Sequence, residues 1–178
     1  MRSAYFVETP LGCFGIGWGE TGLCRLALPE MDGAPAKSRL AGFTEIEPSG
    51  WVAELVSDIR RYAEGEPVSF AGFALEFGEA AGFDRAIWLA ARELGHGEVT
   101  TYGGIAARAG YPGQARPAGA ALGRNPVPLV VPCHRVLAAG GRLGGFSAPG
   151  GATSKARLLL HERADTAPAL PGQHSFSF

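Results

Sequence analysis

Three residues whose side chains can do chemistry stand together at Cys133, His134 and Arg135. The thiolate is the nucleophilic form of cysteine, and a nearby cation favours it over the thiol. The Cys-His pair does not by itself decide a function, because a free cysteine is more often a small core residue than a reactive one. The surrounding sequence must decide between a nucleophile and a core residue.

A short apolar segment leads into this cysteine. Residues 127–131 are interrupted only by Pro128, and Pro132 follows them. A run of this length predicts a buried strand or an equally extended segment. We therefore expect the thiol to stand at the end of a rigid, desolvated element, beside an imidazole and a guanidinium.

The other two cysteines, Cys13 and Cys24, lie in predicted strands and are expected to be core residues. An odd number of cysteines without paired spacing argues against a disulfide framework, and nothing near them has zinc-ligand spacing. The sequence has no apolar run of the length that spans a membrane and no signal peptide at its N-terminus. These features predict a cytoplasmic protein with no metal and no membrane contact.

The two halves of the chain carry opposite net charges. Residues 1–82 contain six Lys or Arg and twelve Asp or Glu, whereas residues 83–163 contain ten and four. This asymmetry favours a polyanionic partner for the second half, although a basic domain can also dock on an acidic one.

The first half predicts a small acidic, β-rich α/β support domain over residues 1–77. Alternating apolar residues and Gly-containing turns predict hairpin strands within residues 4–28. Helical periodicity predicts a helix over residues 51–59, and residues 70–77 predict a further strand. Residues 78–82 predict a linker.

The second half predicts a mainly helical domain over residues 83–163, so that the whole chain is an α+β protein. We expect helices over residues 83–94, 102–109 and 114–123. Thr100 or Thr101 can cap the second of these helices, and Pro117 is tolerated in the first turn of the third. The second and third helices, joined by a Gly-containing turn, predict a helix-turn-helix.

A last helix is expected over residues 155–163, capped by Thr153 and Ser154. Its three consecutive leucines, residues 158–160, are predicted to face inward. Residues 164–178 are predicted to be a flexible tail.

Several short motifs occur together in the second half. They are Tyr102, ARPAG at residues 115–119, NPVP at 125–128, PCHRV at 132–136, GGFS at 144–147, and His161-Glu162. In these motifs residues 101–162, about a third of the chain, resemble the catalytic domain of O6-alkylguanine-DNA alkyltransferases, also called methylated-DNA–protein-cysteine methyltransferases. The first half resembles that family only in its β-rich, helix-containing character.

The resemblance implies a chemistry. Cys133 would attack the alkyl carbon on guanine O6 and keep the alkyl group as a thioether, and O4-alkylthymine would react in the same way. His134 would take the thiol proton through a water while Glu162 holds the imidazole, which is the usual logic of an activated nucleophile. Because the thioether does not hydrolyse, each molecule would act once, as a monomer without a cofactor or metal.

The resemblance also implies how double-stranded DNA carrying O6-alkylguanine would bind. The damaged nucleotide would be flipped out of the duplex, with Arg116 filling the vacated space. Tyr102 would press on the neighbouring phosphate, and its hydroxyl would donate to the guanine ring. The remaining residues of the expected DNA-contacting surface are Thr101, Ala115, Ala118, Gly119 and Arg124.

The expected substrate pocket consists of Asn125, Pro128, Val136, Gly144, Phe146 and Ser147. The carbonyls of Cys133 and Val136 would accept the exocyclic amine, and the Ser147 amide would donate to O6. Gly144 would leave room for a large alkyl group, or else would serve only the backbone angles of its loop. The family commonly has tyrosine at the position of Phe146 and alanine at that of Pro117.

Three other functions remain open at this level. An alkyltransferase-like protein would bind damaged DNA without chemistry, but such proteins replace the cysteine that is present here at position 133. A helix-turn-helix regulator would need base-reading side chains, and residues 114–123 offer few. A cysteine hydrolase using Cys133, His134 and Glu162 would turn over, whereas an alkyltransferase would inactivate itself.

Overall fold

The computed structural model describes residues 1–164 and combines helices with two small sheets. The strands are β1 (Ser3–Thr9), β2 (Gly12–Trp18), β3 (Leu23–Ala27), β4 (Thr44–Glu45), β5 (Thr100–Thr101) and β6 (Val136–Leu137). The helices are α1 (Trp51–Ala63), α2 (Gly82–Arg92), α3 (Tyr102–Arg108), α4 (Ala115–Gly123) and α5 (Gly151–His161). None of the helices in this part of the chain has the length and hydropathy that crossing a membrane requires.

The larger sheet has the order β3-β2-β1-β4 and is built from the predicted hairpins. β1 and β2 pair antiparallel over their whole length, and β3 pairs antiparallel with β2. Cys13 and Cys24 lie in β2 and β3 and are buried, as expected.

Helix α1 covers the sheet with an apolar face. Its buried residues recur at helical spacing and include Val52, Leu55, Val56, Ile59 and Tyr62. This helix was predicted, but the strand predicted at residues 70–77 is wrong. One bridge between Leu75 and Leu23 is present there. Guanidinium N–H groups of Arg92 bind carbonyls of this segment, including those of Ala71 and Phe73, in place of a strand ladder.

Helices α2, α3 and α4 confirm the three predicted helices. The Thr101 hydroxyl accepts from the Gly104 amide at 3.0 Å and so caps α3. α2 packs against α4, and the Trp88 indole donates to the Ala121 carbonyl at 2.8 Å. A turn joins α3 to α4 in the order that a helix-turn-helix requires, and the use of this pair in DNA binding stays a prediction.

The smaller sheet determines where α3 begins. β5 and β6 are parallel, with Thr100 opposite Val136 and Thr101 opposite Leu137. Since α3 begins at the residue after β5, Tyr102 lies close to the segment that follows Cys133. The pairing of β5 with β6 therefore brings together residues that are more than thirty positions apart in the sequence.

Residues 127–131 are buried as predicted, but they form a turn and not a strand. The Val131 amide bonds to the Val127 carbonyl at 2.9 Å, and Leu129 has a left-handed φ of 78°. A buried turn needs its polar groups satisfied, and the Asn125 side chain, which bonds the Val127 amide and the Val131 carbonyl, does this.

The last helix begins four residues earlier than predicted. α5 starts at Gly151 after Gly150, so Thr153 and Ser154 lie inside it and do not cap it. Leu159 is fully buried, but Leu160 is 41% exposed, so the inward prediction fails for Leu160. Of the predicted flexible tail, Ala164 is buried, and residues 165–178 lie outside the described residues.

One hydrophobic cluster joins the two halves. It contains Ile16 and Ile59 from the first half and Ile87, Ile105 and Val131 from the second. The division into domains at residues 78–82 stays a prediction, because packing across it is continuous among the described residues.

The continuous core makes a testable prediction about cooperativity. Ile59→Ala removes a fully buried side chain of α1 and should lower the free energy of unfolding by about 2–5 kcal/mol. Because the core is shared, native-state hydrogen exchange should speed up in α4 as well as in β1. Faster exchange confined to residues 1–77 would contradict a shared core.

Candidate active site

Cys133 opens a single 3-10 turn, Cys133–Arg135, and its side chain is almost completely buried. Asn125 donates through Nδ2 to the Val131 carbonyl at 2.8 Å and lies 3.2 Å from the Cys133 Sγ. The same amide therefore closes the turn before the cysteine and holds its sulfur. This position fits the predicted link between the end of α4 and the cysteine loop.

The thiol is the stable form of Cys133 in this environment. Burial raises the pKa of Cys133, while the Asn125 hydrogen bond and the positive charge of Lys155 act in the opposite direction. The cation beside the sulfur is therefore not the adjacent arginine that the sequence suggested. The Arg135 guanidinium turns away and donates to the Leu94 carbonyl and to Glu162.

Glu162 is the centre of a buried polar network behind the cysteine. Its Oε1 accepts from the Tyr62 hydroxyl at 2.8 Å, from His134 Nε2 at 2.7 Å and from Arg135 at 2.9 Å. Its Oε2 accepts from Arg135 Nε at 2.8 Å and from the Gly97 amide at 3.2 Å. Burial alone would raise the pKa of Glu162, but the interactions with His134 and Arg135 hold it well below its usual value.

His134 is oriented as a base by this network. It is completely buried, and burial lowers its pKa despite the Glu162 carboxylate, so the resting imidazole is neutral. With Nε2 donating to the carboxylate, Nδ1 is the unprotonated nitrogen, a tautomer assigned from the hydrogen bond. Nδ1 is buried and has no hydrogen-bond partner among residues 1–164. It is therefore available to a water or to the thiol.

Lys155 is a functional candidate that sequence reasoning missed. Its ammonium is completely buried, donates to the Val136 carbonyl at 2.6 Å and lies 3.3 Å from the Tyr102 hydroxyl. Burial lowers the pKa of Lys155 to about 8. Buried lysines are rare unless paired, but a single lysine in a helix gives no sequence signal that it points inward.

A cavity of about 470 Å³ opens beside the cysteine. Its wall consists of Tyr102, Ala115, Arg116, Gly119, Leu122, Gly123, Cys133, Gly145, Phe146 and Ser147. Arg116 comes from the first turn of α4, and Tyr102 from the first turn of α3. Residues from the first turns of α3 and α4 therefore line the same cavity as Cys133. Within residues 1–164, no three His, Cys, Asp or Glu side chains come together as a metal site would require.

Of the residues expected at a DNA-contacting surface, some are accessible, whereas others are buried or ion-paired. Thr101 is exposed, and Ala115 and Gly119 line the cavity beside Arg116. The prediction that Ala118 contacts DNA is wrong, because Ala118 faces the core and is completely buried. Arg124 forms a two-point ion pair with Asp84 at 2.7 and 2.8 Å, which balances its charge and lowers the pKa of Asp84.

The expected pocket residues are also divided. Phe146 and Ser147 line the cavity, whereas Asn125 and Pro128 line only a much smaller crevice that shares Cys133, Phe146 and Ser147 with it. The Val136 carbonyl already accepts from Lys155. A carbonyl has two lone pairs, so this contact leaves one of them for another donor.

Gly144 does not leave open space, contrary to the roomy interpretation. It has a left-handed φ of +67°, and a Cβ built there would lie 2.8 Å from the Tyr102 hydroxyl oxygen. The absence of a side chain lets the loop approach Tyr102, whose hydroxyl donates to the Gly145 carbonyl at 3.1 Å. The alternative interpretation, in which Gly144 serves the backbone angles of its loop, agrees better with this left-handed φ.

Tyr62 and Arg39, both in the first half, form hydrogen bonds with residues of the site, and no sequence pattern indicated either of them. Tyr62 of α1 is bound to Glu162, and the Arg39 guanidinium donates to the Ser147 carbonyl at 3.1 Å. These contacts join residues 100 and 108 positions apart. No local pattern could have revealed them.

The chain matches known proteins over both of its halves. The family model described as "6-O-methylguanine DNA methyltransferase, DNA binding domain" matches residues 82–164. A methylated-DNA–protein-cysteine methyltransferase of Methanothermobacter thermautotrophicus is 35% identical over 153 residues, covering 86% of this chain and 81% of that protein. One of Mycolicibacterium paratuberculosis is 35% identical over 157 residues, covering 88% and 90%.

A solved structure agrees with the sequence relatives. The crystal structure of Mycobacterium tuberculosis OGT in complex with DNA has a TM-score of 0.75 and 32% identity, and covers 94% of this chain and 96% of that one. The resemblance found in residues 101–162 is thus confirmed and extends into the first half. The chain belongs to the methylated-DNA–protein-cysteine methyltransferase family.

Proposed function

We propose that this protein repairs DNA by transferring the alkyl group of O6-alkylguanine irreversibly to Cys133. The observation that carries the proposal is the position of the Cys133 thiol at the wall of the cavity, in front of the buried His134–Glu162 pair. Relatives named as methylated-DNA–protein-cysteine methyltransferases support the reaction class. An OGT–DNA complex with the same fold supports DNA as the partner.

In the proposed reaction the Cys133 sulfur attacks the alkyl carbon, so that a C–S bond forms as the C–O6 bond breaks. The thiol proton passes through a water to Nδ1 of His134, which Glu162 stabilises as an imidazolium. The electron pair of the broken bond goes to the guanine. The Tyr102 hydroxyl transfers its proton to a nitrogen of the guanine ring, which leaves as neutral guanine, and Lys155 stabilises the negative charge that develops on the tyrosine oxygen.

Lesion access requires the nucleotide to leave the duplex, because O6 inside a base stack cannot reach a buried sulfur. Arg116 and Tyr102 stand at the cavity and are the residues we assign to this step. Arg116 fills the vacated stack, and Tyr102 turns the adjacent phosphate. The cavity volume does not discriminate against a pyrimidine, so O4-alkylthymine is proposed as a second substrate.

The rival functions are less consistent with the site. An alkyltransferase-like binding protein lacks the nucleophile, whereas Cys133 is present here with a base and an orienting carboxylate. A hydrolase would form an acyl-cysteine that water cleaves, whereas an alkyl thioether has no such exit. The number of turnovers therefore separates the two reactions.

The first prediction is a stoichiometry of one. Incubation with excess O6-methylguanine duplex should add one methyl group per chain, on Cys133, because the thioether cannot be hydrolysed. Intact-mass and peptide mass spectrometry measure both. Cys133→Ser should bind the duplex and transfer nothing, and Cys24→Ser is the control. Repeated turnover, or methylation of Cys13 or Cys24, would disprove the mechanism.

The second prediction separates flipping from chemistry. Arg116→Ala should slow repair of duplex DNA about tenfold or more relative to reaction with the free base O6-methylguanine, since losing about 1.4 kcal/mol of flipping stabilisation costs a factor of ten. Single-turnover rates on both substrates give the ratio. Arg157→Ala removes the same charge from α5 away from the cavity wall and should leave the ratio unchanged. Equal losses on both substrates would exclude Arg116 as the flipping residue.

The third prediction concerns the loop that supports Tyr102. Gly144→Ala should slow methyl transfer from O6-methylguanine duplex, because the added methyl group displaces the Tyr102 hydroxyl. Gly141→Ala is the matched control. It carries a similar left-handed φ of +75° but has nothing within 4 Å of the new Cβ. In both variants the alanine costs about 1–2 kcal/mol of backbone strain. If both variants lost rate equally, the contact with Tyr102 would not be the cause of the loss.

A further inference from the structure

Tyr62 brings a hydroxyl from the first half into the network behind the cysteine. Its side chain is completely buried, and its hydroxyl donates to Glu162 Oε1 at 2.8 Å. Burial and the neighbouring carboxylate raise the pKa of Tyr62, so the hydroxyl keeps its proton and acts as a donor. The side chain therefore meets the carboxylate as a neutral donor without altering the charge of the site.

The tyrosine is held firmly in this position. The His161 ring bonds the Tyr62 carbonyl at 2.6 Å, and the Phe70 ring packs edge-on at 5.9 Å. The first contact holds the backbone of Tyr62 and the second holds its ring, and neither involves the hydroxyl. The position of the hydroxyl oxygen is therefore determined by α1 and its neighbours, and not by the carboxylate alone.

Three donors share one carboxylate oxygen. Glu162 Oε1 accepts from Tyr62, His134 and Arg135. A carboxylate offers about two lone-pair sites per oxygen, so the donors compete for the same negative charge. Each hydrogen bond that Tyr62 makes to this oxygen reduces the charge available to the His134 N–H.

We propose that Tyr62 is a positioning residue for the proton-transfer step. Through its hydrogen bond to Glu162 Oε1, Tyr62 sets the basicity of His134. This inference rests on the proposed alkyl transfer. By taking part of the carboxylate's charge, the Tyr62 hydroxyl keeps the resting imidazole neutral and able to accept the thiol proton. By fixing the oxygen, it also fixes the ring that hydrogen-bonds to it.

The charged and titratable groups around the His134–Glu162 pair come from every element that packs against it. They are Tyr62 of α1, His96 of the α2–β5 loop, Cys133 and Arg135 of the cysteine turn, and Lys155 and His161 of α5. Replacing Arg135 or Lys155 would change the charge of the site. Replacing Tyr62 by phenylalanine removes one hydrogen bond and leaves the charge unchanged.

The sign of the pH effect follows from this arrangement. Alkyl transfer needs neutral His134, so the rate rises with pH through the apparent pKa of that group. Without the Tyr62 hydroxyl, more of the Glu162 charge falls on His134 and stabilises its protonated form. Tyr62→Phe should therefore move the rising limb of the rate profile to higher pH, with an apparent pKa about one higher, the size expected for one hydrogen bond to a charged group.

The experiment measures single-turnover methyl transfer from O6-methylguanine duplex across pH for four forms of the intact chain. These are the unmodified protein, Tyr62→Phe, a form with 3-fluorotyrosine placed at position 62, and Ile59→Val. The fluorinated phenol is a more acidic and stronger donor of nearly the same size, so it should lower the apparent pKa. Ile59→Val loosens the same helix one turn away and should leave the pKa unchanged.

Opposite shifts for the two Tyr62 forms support the proposal, because a packing defect cannot produce both signs. An unchanged pKa in Tyr62→Phe, a rate lowered by the same factor at every pH, or an equal shift in Ile59→Val would overturn it. Should Tyr62→Phe not fold, the fluorotyrosine form decides alone. An NMR titration of isotope-labelled His134 needs no alkyl transfer, so it tests Tyr62 even where the proposed function has failed.

Discussion

A carboxylate buried in the protein interior, that of Glu162, is the constraint on which this structure depends. An unpaired charge in a protein interior is very costly, and breaking a buried pair typically costs about 3–5 kcal/mol. Glu162 meets that requirement with donors from α1, from the α2–β5 loop and from the cysteine turn. The site can form only when all of these segments are in place. The geometry of the base is thus a consequence of the folded chain as a whole.

Burial also keeps Cys133 in its less reactive thiol form. A thiol in an apolar wall is a weak nucleophile, because burial disfavours the thiolate of Cys133. Asn125 and Lys155 offset part of that cost, and neutral His134 supplies a base behind the sulfur. Ionisation is therefore coupled to proton acceptance by His134. In the proposed mechanism, alkyl transfer draws on a thiol that is otherwise protected from reaction.

Sequence reasoning succeeded where the signal is local. Helical periodicity predicted α1, α2, α3 and α4, and the Pro-Cys-His-Arg-Val motif identified the family. It failed at residues 127–131, because an apolar run shows burial but not backbone direction. The turn there depends on the Asn125 side chain and on the left-handed Leu129, which hydropathy does not encode.

The residues that were missed share a different cause. Tyr62, Arg39 and Lys155 are ordinary members of their own elements, and they gain their roles from contacts made across the fold. The charge asymmetry shows a different limit, because composition does not say which residues carry the charge. Arg108, Arg124 and Arg135 form ion pairs with acidic residues of their own half, so the excess of positive charge in residues 83–163 lies on other cations of that half.

The position of Tyr62 also changes how the first half should be regarded. The family model matches residues 82–164, which contain Cys133, His134 and Glu162. Yet the carboxylate is held by a hydroxyl from residue 62, and the loop carrying Ser147 is held by a guanidinium from residue 39. Both contacts are hydrogen bonds directed at the site, and neither belongs to the hydrophobic packing that a cover alone would need. The first half therefore acts as part of the active-site support, and the boundary predicted from charge and linker composition does not coincide with a boundary in the chemistry.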